Sequence, residues 1–500
     1  MTSRSDSTPG LRAPGDLDPE TFRRHGHALV DWIAEFLGAP ERFPVLARVR
    51  PGEVRRALPP AAPDAPEPLE AILEDFERVI LPGITHWNHP GFFGYFAISG
   101  AAPGILGELL CAALNVNAML WRTSPAATEL EDVVLDWLRQ LLGLPAEFRG
   151  VIHDTASVAT LSAFAAAREA AGLEIRERGV AGRPEVPRLR LYTSDQANSS
   201  VEKGAMILGF GREGVAKIPT DAEFRMDPAA LAAAIARDRA AGWRPVAICA
   251  TVGTTGTTSV DPVPAIAGIA AREGLWLHVD AAYGGAAAIL PERRDVLAGC
   301  ERADSIVVNP HKWLFTPLDC SAFFCRRPDV LKRAFSLVPS YLETAEGGTV
   351  ENYMDWGPPL GRRFRALKLW MVLRAFGRGG LEARLREHLR LARLFADWVD
   401  GDPDWERTAP VPFSTVVFRL RPRAWDPADE RLDALNERLL DAVNASGEVF
   451  LSHAVLGGRY VLRLAIGNIR TEERHVRRAW ELLRAEALRL GALPVMVARR

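Results

Sequence analysis

Leu275-Trp-Leu-His-Val-Asp280-Ala-Ala-Tyr-Gly-Gly285 is an apolar run that closes on an acid and then opens into small residues. Such a run reads as a fully buried strand whose carboxyl end presents one polar group. That is the habit of a parallel sheet covered on both faces, with ligands at the strand ends. Two other stretches have the same shape. Ser305-Ile-Val-Val-Asn309-Pro310-His311-Lys312-Trp313 ends on His and Lys side by side. Gly150-Val-Ile-His-Asp-Thr155-Ala156-Ser157 passes into small hydroxyl residues and an Ala-rich helix. Further strands are predicted at Leu189–Thr193 and Pro245–Thr251, with helices at Val158–Ala171, Pro228–Ala241 and Pro262–Glu273 between them. Alternating strands and helices predict an α/β fold with a mostly parallel sheet.

Outward from this core the chain divides into parts. Residues 1–17 are expected to be a disordered tail. Asp18-Pro19 reads as an N-cap with Pro at N1, opening an amphipathic helix through Phe22, Leu29, Trp32, Ile33 and Phe36. Pro51 to Pro68 reads as an extended connector, and Leu69 to Ile80 as helical again. The expected parts are an N-terminal helical segment at 18–104, a large domain at 105–380 and a small C-terminal α+β domain at 381–490. The small domain has strands near Ser414–Leu420 and Tyr460–Ile466 and a last helix at Thr471–Ala487.

Composition excludes several classes. Of 500 residues 48% are hydrophobic and 25% charged, an ordinary globular balance, and 61 basic against 63 acidic residues leave a net charge of −2. No excess field draws the chain to nucleic acid or an anionic membrane. Five cysteines without metal-type spacing predict a reduced, cytoplasmic protein with neither disulfide framework nor metal site. The polar N-terminus has no apolar signal region. Pro90 to Gly107 is uncharged and nearly long enough to span a bilayer, but five glycines and two prolines make it a turn-rich segment beside a pocket. Only five of the 61 basic residues are lysines, which draws attention to Lys312, because Lys alone among basic side chains can become a neutral amine nucleophile.

The three strand ends fit together around a pyridoxal phosphate. A lysine in a desolvated pocket forms a Schiff base with an aldehyde. A carboxylate facing a pyridine nitrogen keeps it protonated, so that the ring withdraws electrons. A helix N-terminus with Thr155, Ala156 and Ser157 offers donors to a phosphate. Singly each has a plainer reading: Asp280 as a helix cap, Lys312 as a snorkelling edge residue, Ser157 as a cap.

The motifs Asn309-Pro-His-Lys312-Trp, His278-Val-Asp280-Ala-Ala-Tyr, Ile152-His-Asp-Thr-Ala-Ser157, Thr193-Ser-Asp-Gln-Ala-Asn-Ser-Ser200 and Gly361-Arg-Arg-Phe-Arg365 closely resemble those of the group II pyridoxal-phosphate decarboxylases, nearest to the aromatic-L-amino-acid type. The resemblance runs from about residue 20 to residue 485. It implies PLP fold type I, with a seven-stranded, helix-covered large domain, and a homodimer with active sites at the subunit interface. By motif position it implies Lys312 as the Schiff-base lysine, Asp280 as partner of the pyridine nitrogen and Ala282 beneath the ring. Thr155, Ala156, Ser157 and Asn309 would hold the phosphate, Thr255 would lie behind the ring, and His311 would sit beside the lysine. Trp87, Tyr95 and Phe96 match a substrate-pocket wall. Tyr353 matches the tyrosine of a mobile loop, freed by Gly347-Gly348, that reaches the partner's active site.

The sequence departs from that pattern in three places. Asn198 stands where the decarboxylases have a histidine stacked on the cofactor ring, and a related insect branch with Asn there makes aldehydes. Asn198 is therefore either a tolerated amide or a mark of oxygen-dependent deamination. Met119 and Ala97 replace an expected Phe and Pro, which suggests a roomier pocket, and Asn117 adds a polar group that either meets a substrate hydroxyl or satisfies backbone. The expected reaction is decarboxylation of an aromatic L-amino acid to the amine and carbon dioxide. The alternative is decarboxylation coupled to oxidative deamination, giving the aldehyde. An aminotransferase or other PLP lyase is more distant, since those enzymes usually hold the α-carboxylate with an arginine.

Overall fold

The computed structural model describes residues 16–338, 342, 344–346 and 349–493. The expected tail, apart from its last two residues, and the Gly347-Gly348 pair lie outside these. Residues 1–43 and 44–500 form two separate compact units. In the first, Asp18 accepts the N–H groups of Glu20 and Thr21 and starts the helix Pro19–Gly38, as the Asp-Pro pair predicts.

Among the described residues the second unit holds twelve strands in two sheets. In chain order they are β1 (Phe92–Phe93), β2 (Arg149–His153), β3 (Leu189–Ser194), β4 (Val215–Ile218), β5 (Arg244–Thr251), β6 (Trp276–Asp280), β7 (Ser305–Val308), β8 (Ser321–Cys325), β9 (Trp405–Arg407), β10 (Thr415–Leu420), β11 (Phe450–Leu456) and β12 (Arg459–Ala465). The large sheet has the order β2-β8-β7-β6-β5-β3-β4. Six of its strands run parallel. β8 alone is reversed, pairing antiparallel with both β2 and β7. Its central strands are buried at every position of β6, β7 and β8, as their unbroken apolar runs require. Helices Ala156–Ala170, Pro228–Ala240 and Val263–Glu273 connect them, within two residues of their expected bounds.

The smaller sheet, β1-β11-β12-β10-β9, packs its apolar face on the helices Arg431–Ala445 and Glu473–Arg489. The two-residue β1 joins it in parallel with β11, placing Phe92 beside Phe450 and Phe93 beside Leu451. The texture change read at residue 380 falls inside one 36-residue helix, Ala366–Gly401, whose regular geometry breaks only at Gly377 (φ 58°). The connector at 51–68 contains a short helix, Glu53–Ala57, instead of being extended throughout. Gly52 enters that helix in the left-handed region at φ 85°.

Candidate active site

Because β2, β3, β5, β6 and β7 run the same way, their carboxyl ends share one edge of the sheet. The residues just beyond those ends line a single cavity of about 210 Å³: Thr155, Ala156, Ser157, Asn198, Thr255, Asp280, Ala282, Asn309, His311, Lys312 and Phe96. Every cofactor-binding position named from the sequence is in that set. A larger cleft of about 470 Å³ opens at the opposite edge, among Arg244, Trp276, Asp304 and Arg327, and holds none of them.

Asp280 ends β6 with 7% of its surface exposed, and its carboxylate accepts the Ala282 N–H at 3.1 Å. Ala282 is thereby fixed as a small floor. Lys312 sits in the short helix Pro310–Trp313, which starts directly after β7. Burial pushes the Lys312 ammonium below its ordinary range, and the nearby Asp280 charge opposes this. Its Nζ lies 5.1 Å from the centroid of the Phe96 ring. Phe96 stacks on Tyr283 at 4.0 Å, and Tyr283 on Trp313 at 4.9 Å, so three aromatic rings back the lysine. The Tyr283 hydroxyl reaches Ser414 Oγ at 2.5 Å, and Trp313 Nε1–H donates to His388 Nδ1 at 3.0 Å, so the stack cannot slide.

At the other end, helix Ala156–Ala170 points its N-terminus at the cavity, where its first N–H groups have no intrahelical acceptor. Thr155 contributes less than expected, since its N–H and its hydroxyl both turn to the Asp154 carboxylate. Asn198 is held at both ends of its amide: Nδ2 donates to Thr255 Oγ1 at 3.2 Å and Oδ1 accepts the Ser200 N–H at 2.9 Å.

Sequence reasoning missed Ser200, Thr251, Gly253 and Tyr283, which also line the cavity. Ser200 and Tyr283 lay inside quoted motifs and were passed over. The Ser200 and Thr251 hydroxyls are buried without a protein partner, an arrangement that costs stability unless a bound molecule satisfies them. Gly253, at φ 95°, is a turn only glycine makes easily, and a Cβ there would lie 3.0 Å from the Gly284 nitrogen. Orphaned hydroxyls, free N–H groups, a carboxylate and a desolvated lysine around one small cavity fit a phosphorylated pyridine aldehyde.

Several expectations are corrected. Tyr353 is not on a mobile loop: it is 2% exposed in the turn Tyr353–Trp356, and its ring packs on Trp356 and under the Arg362 guanidinium, outside the cavity. Asn117 and Met119 are likewise outside it. Asn117 Oδ1 accepts the Arg362 N–H at 2.9 Å, and the Met119 carbonyl accepts the Met354 N–H at 3.0 Å. Of the pocket wall only Phe96 lines the cavity. Trp87 and Tyr95 stack on each other at 5.6 Å beside it, and Ala97 is buried against Gly467. This wall segment hangs from the small sheet through β1 and through the Tyr95 N–H, which donates to Ser452 Oγ at 3.1 Å.

Among the described residues no group of side chains could hold a metal, and no helix is long and apolar enough to cross a membrane. The model of the pyridoxal-dependent decarboxylase conserved domain matches residues 51–421. The chain is 43% identical over 481 residues to a phenylacetaldehyde synthase of Arabidopsis thaliana, covering 94% of this chain and 96% of that protein. It is 43% identical over 483 residues to tyrosine decarboxylase 4 of Petroselinum crispum, covering 94% of each. The crystal structure of Oryza sativa TDC with PLP and tryptamine superimposes with a TM-score of 0.92 at 39% identity, covering 96% of this chain and all of that one.

Proposed function

Since the chain belongs to the pyridoxal-dependent decarboxylase family, we propose that it converts an aromatic L-amino acid to the corresponding amine and carbon dioxide, as a homodimer. The observation that carries this reading is Lys312, half-buried at the cavity wall, made less basic than usual by desolvation and 5.1 Å from the Phe96 ring centroid, beside a buried Asp280. Depressed basicity favours the neutral amine of Lys312, the form that would bond to an aldehyde carbon and release it to a substrate amine. Bound pyridoxal phosphate would supply an electron sink for the pair left at Cα when the carboxylate departs. Asp280 would hold the pyridine proton in place, Ala282 would support the ring, and the Ala156 and Ser157 N–H groups would take the phosphate. The Phe96-Tyr283-Trp313 stack gives the lysine side of the cavity an apolar, aromatic lining suited to an aromatic substrate side chain. The proton returned to Cα cannot come from the Tyr353 phenol, locked in its own chain's core.

The dimer reading rests on two features. Helix Ala102–Leu114 leaves Leu106, Leu109, Leu110 and Leu114 about half exposed along one face. Asn117 and Met119, just beyond that helix, are outside their own chain's cavity, so a substrate-pocket role for them requires a second chain.

A second reading, oxygen-dependent formation of the aldehyde, is favoured by Asn198. Its tethered amide offers less stacking surface than imidazole and carries no charge, leaving the electron-rich state at Cα more open to oxygen. Relatives of both kinds share 43% identity with this chain. One experiment separates them: each aromatic amino acid is supplied in an oxygen electrode while carbon dioxide, amine, aldehyde, ammonia and peroxide are measured. Amine without oxygen uptake supports the first reading. Stoichiometric oxygen uptake with aldehyde and peroxide overturns it. For Asn198→His we expect the aldehyde share to fall, and an unchanged share would make Asn198 a tolerated stacking substitute.

A further inference from the structure

We propose that His311, which the resemblance sets beside Lys312, is a positioning residue of the phosphate cradle, and that Ser321 holds it in that role through Asn309. The inference rests on the cofactor reading above and concerns what this chain's own residues do before any substrate arrives.

The argument is one of hydrogen-bond counting. His311 is 4% exposed, and its Nδ1 accepts the Cys320 N–H at 2.9 Å. Burial, reinforced by the Lys312 charge, pushes the imidazole down to about 3, so the ring is neutral at any working pH. A neutral imidazole has one donor and one acceptor nitrogen. With Nδ1 spent as the acceptor, the proton is on Nε2. Nε2 lies 3.1 Å from Asn309 Nδ2, and Asn309 Oδ1 accepts the Ser321 hydroxyl at 2.7 Å. Two donors cannot share the first contact, so we turn the Asn309 amide end for end, an exchange of two atoms of nearly the same size, and set its oxygen on His311 Nε2–H and its NH2 on Ser321 Oγ. One amide proton then goes to the serine oxygen, and the second is left over for a phosphate oxygen.

All three side chains are buried, at 4%, 2% and 0% exposure, so no water competes for these bonds. The relay exists because β8 is reversed. Its first residue, Ser321, and the preceding Cys320 arrive at the edge where β7 ends, and only an antiparallel neighbour delivers an N–H and a hydroxyl there. With both ring nitrogens bonded within the protein, His311 has neither a proton to give to Cα nor a lone pair to take one.

The test uses the whole chain. Long-range ¹⁵N NMR of histidine-labelled apoprotein, with the His311 signals assigned by their loss in His311→Gln, should show an Nε2–H ring that does not titrate between pH 6 and 8. Titration of apoprotein with pyridoxal phosphate, followed by absorbance, should show affinity falling roughly tenfold in Ser321→Ala and largely kept in Ser321→Thr. The pH profile of kcat/KM and the amine-to-aldehyde ratio should keep their form in both. An Nδ1–H ring, a ring that titrates in that range, or a His311→Gln enzyme that loses one limb of its pH profile at unchanged cofactor affinity would overturn the proposal. If the natural apoprotein binds no pyridoxal phosphate, the cofactor reading fails instead, and the tautomer measurement still judges the relay.

Discussion

At the residue scale, the groups that matter are held from behind. Asp280 is fixed by the Ala282 N–H, Asn198 by Thr255 and Ser200, and the wall beside Lys312 by two further aromatic rings. Asp280→Asn should leave the fold intact, because an amide oxygen can still accept the Ala282 N–H. It should lower turnover by roughly 10²-fold or more, since a neutral amide no longer holds the pyridine proton. Steady-state kinetics on protein with full cofactor occupancy checks this, and near-normal turnover would mean that another group keeps the ring protonated. Tyr353 tests the opposite case. Tyr353→Phe keeps the ring packed on Trp356 and should leave the amine-to-aldehyde ratio unchanged. Tyr353→Ala should cost about 3–5 kcal/mol of stability by opening a cavity, read by denaturant unfolding. A shift toward aldehyde in the Phe variant would return the phenol to the chemistry. Tyr353 also shows what sequence leaves open: motif position alone does not say that its ring is 2% exposed and packed on Trp356.

At the scale of elements, the strand ends were readable because each is an unbroken apolar run that stops on a polar residue, and a strand buried on both faces cannot look otherwise. Lys312, Asp280 and the Thr155–Ser157 group followed from those ends, while Asn198, Thr255 and Ala282 needed the resemblance of whole motifs. The pocket wall was harder, because it depends on a pairing between residues more than 350 apart, Phe92 with Phe450, which leaves no local pattern. The texture change read at Gly380 lies close to Gly377, where two helical stretches of Ala366–Gly401 meet across a kink at φ 58°. The exposed leucine face of Ala102–Leu114 makes the dimer testable at this scale. Leu109→Asp with Leu110→Asp should shift sedimentation from dimer to monomer and abolish turnover together, because the cavity then lacks its neighbour's side chains. A fully active monomer would overturn the dimer reading.

For the molecule as a whole, pH stability follows from buried histidines. Burial lowers His153 and His311 to about 3 and His278 and His388 to about 4, all from an ordinary 6.5. A lowered imidazole stabilises the fold fully above pH 6.5 and loses that contribution as pH falls toward the folded value. Asp261 acts the other way: burial raises it to about 6, so the folded protein takes up one proton before the unfolded chain does. Near pH 5 the unfolded chain binds about three more protons than the fold, a slope of about 4 kcal/mol per pH unit. Thermal unfolding should be flat from pH 7 to 8 and collapse between about 6 and 4. A transition indifferent to pH over that range would show these rings to be solvated.

The two-residue strand β1 divides responsibility within the active site. The groups that line the cavity around Lys312 descend from the large sheet, while the Phe96 segment, proposed to meet the substrate side chain, is suspended from the small one. Inheritance can therefore act on the two separately. Mutations along the β11–β12 hairpin would move the wall and change which amino acid is admitted, while the reaction, anchored elsewhere, is passed on unaltered. A chain built this way can diversify its diet without relearning its chemistry.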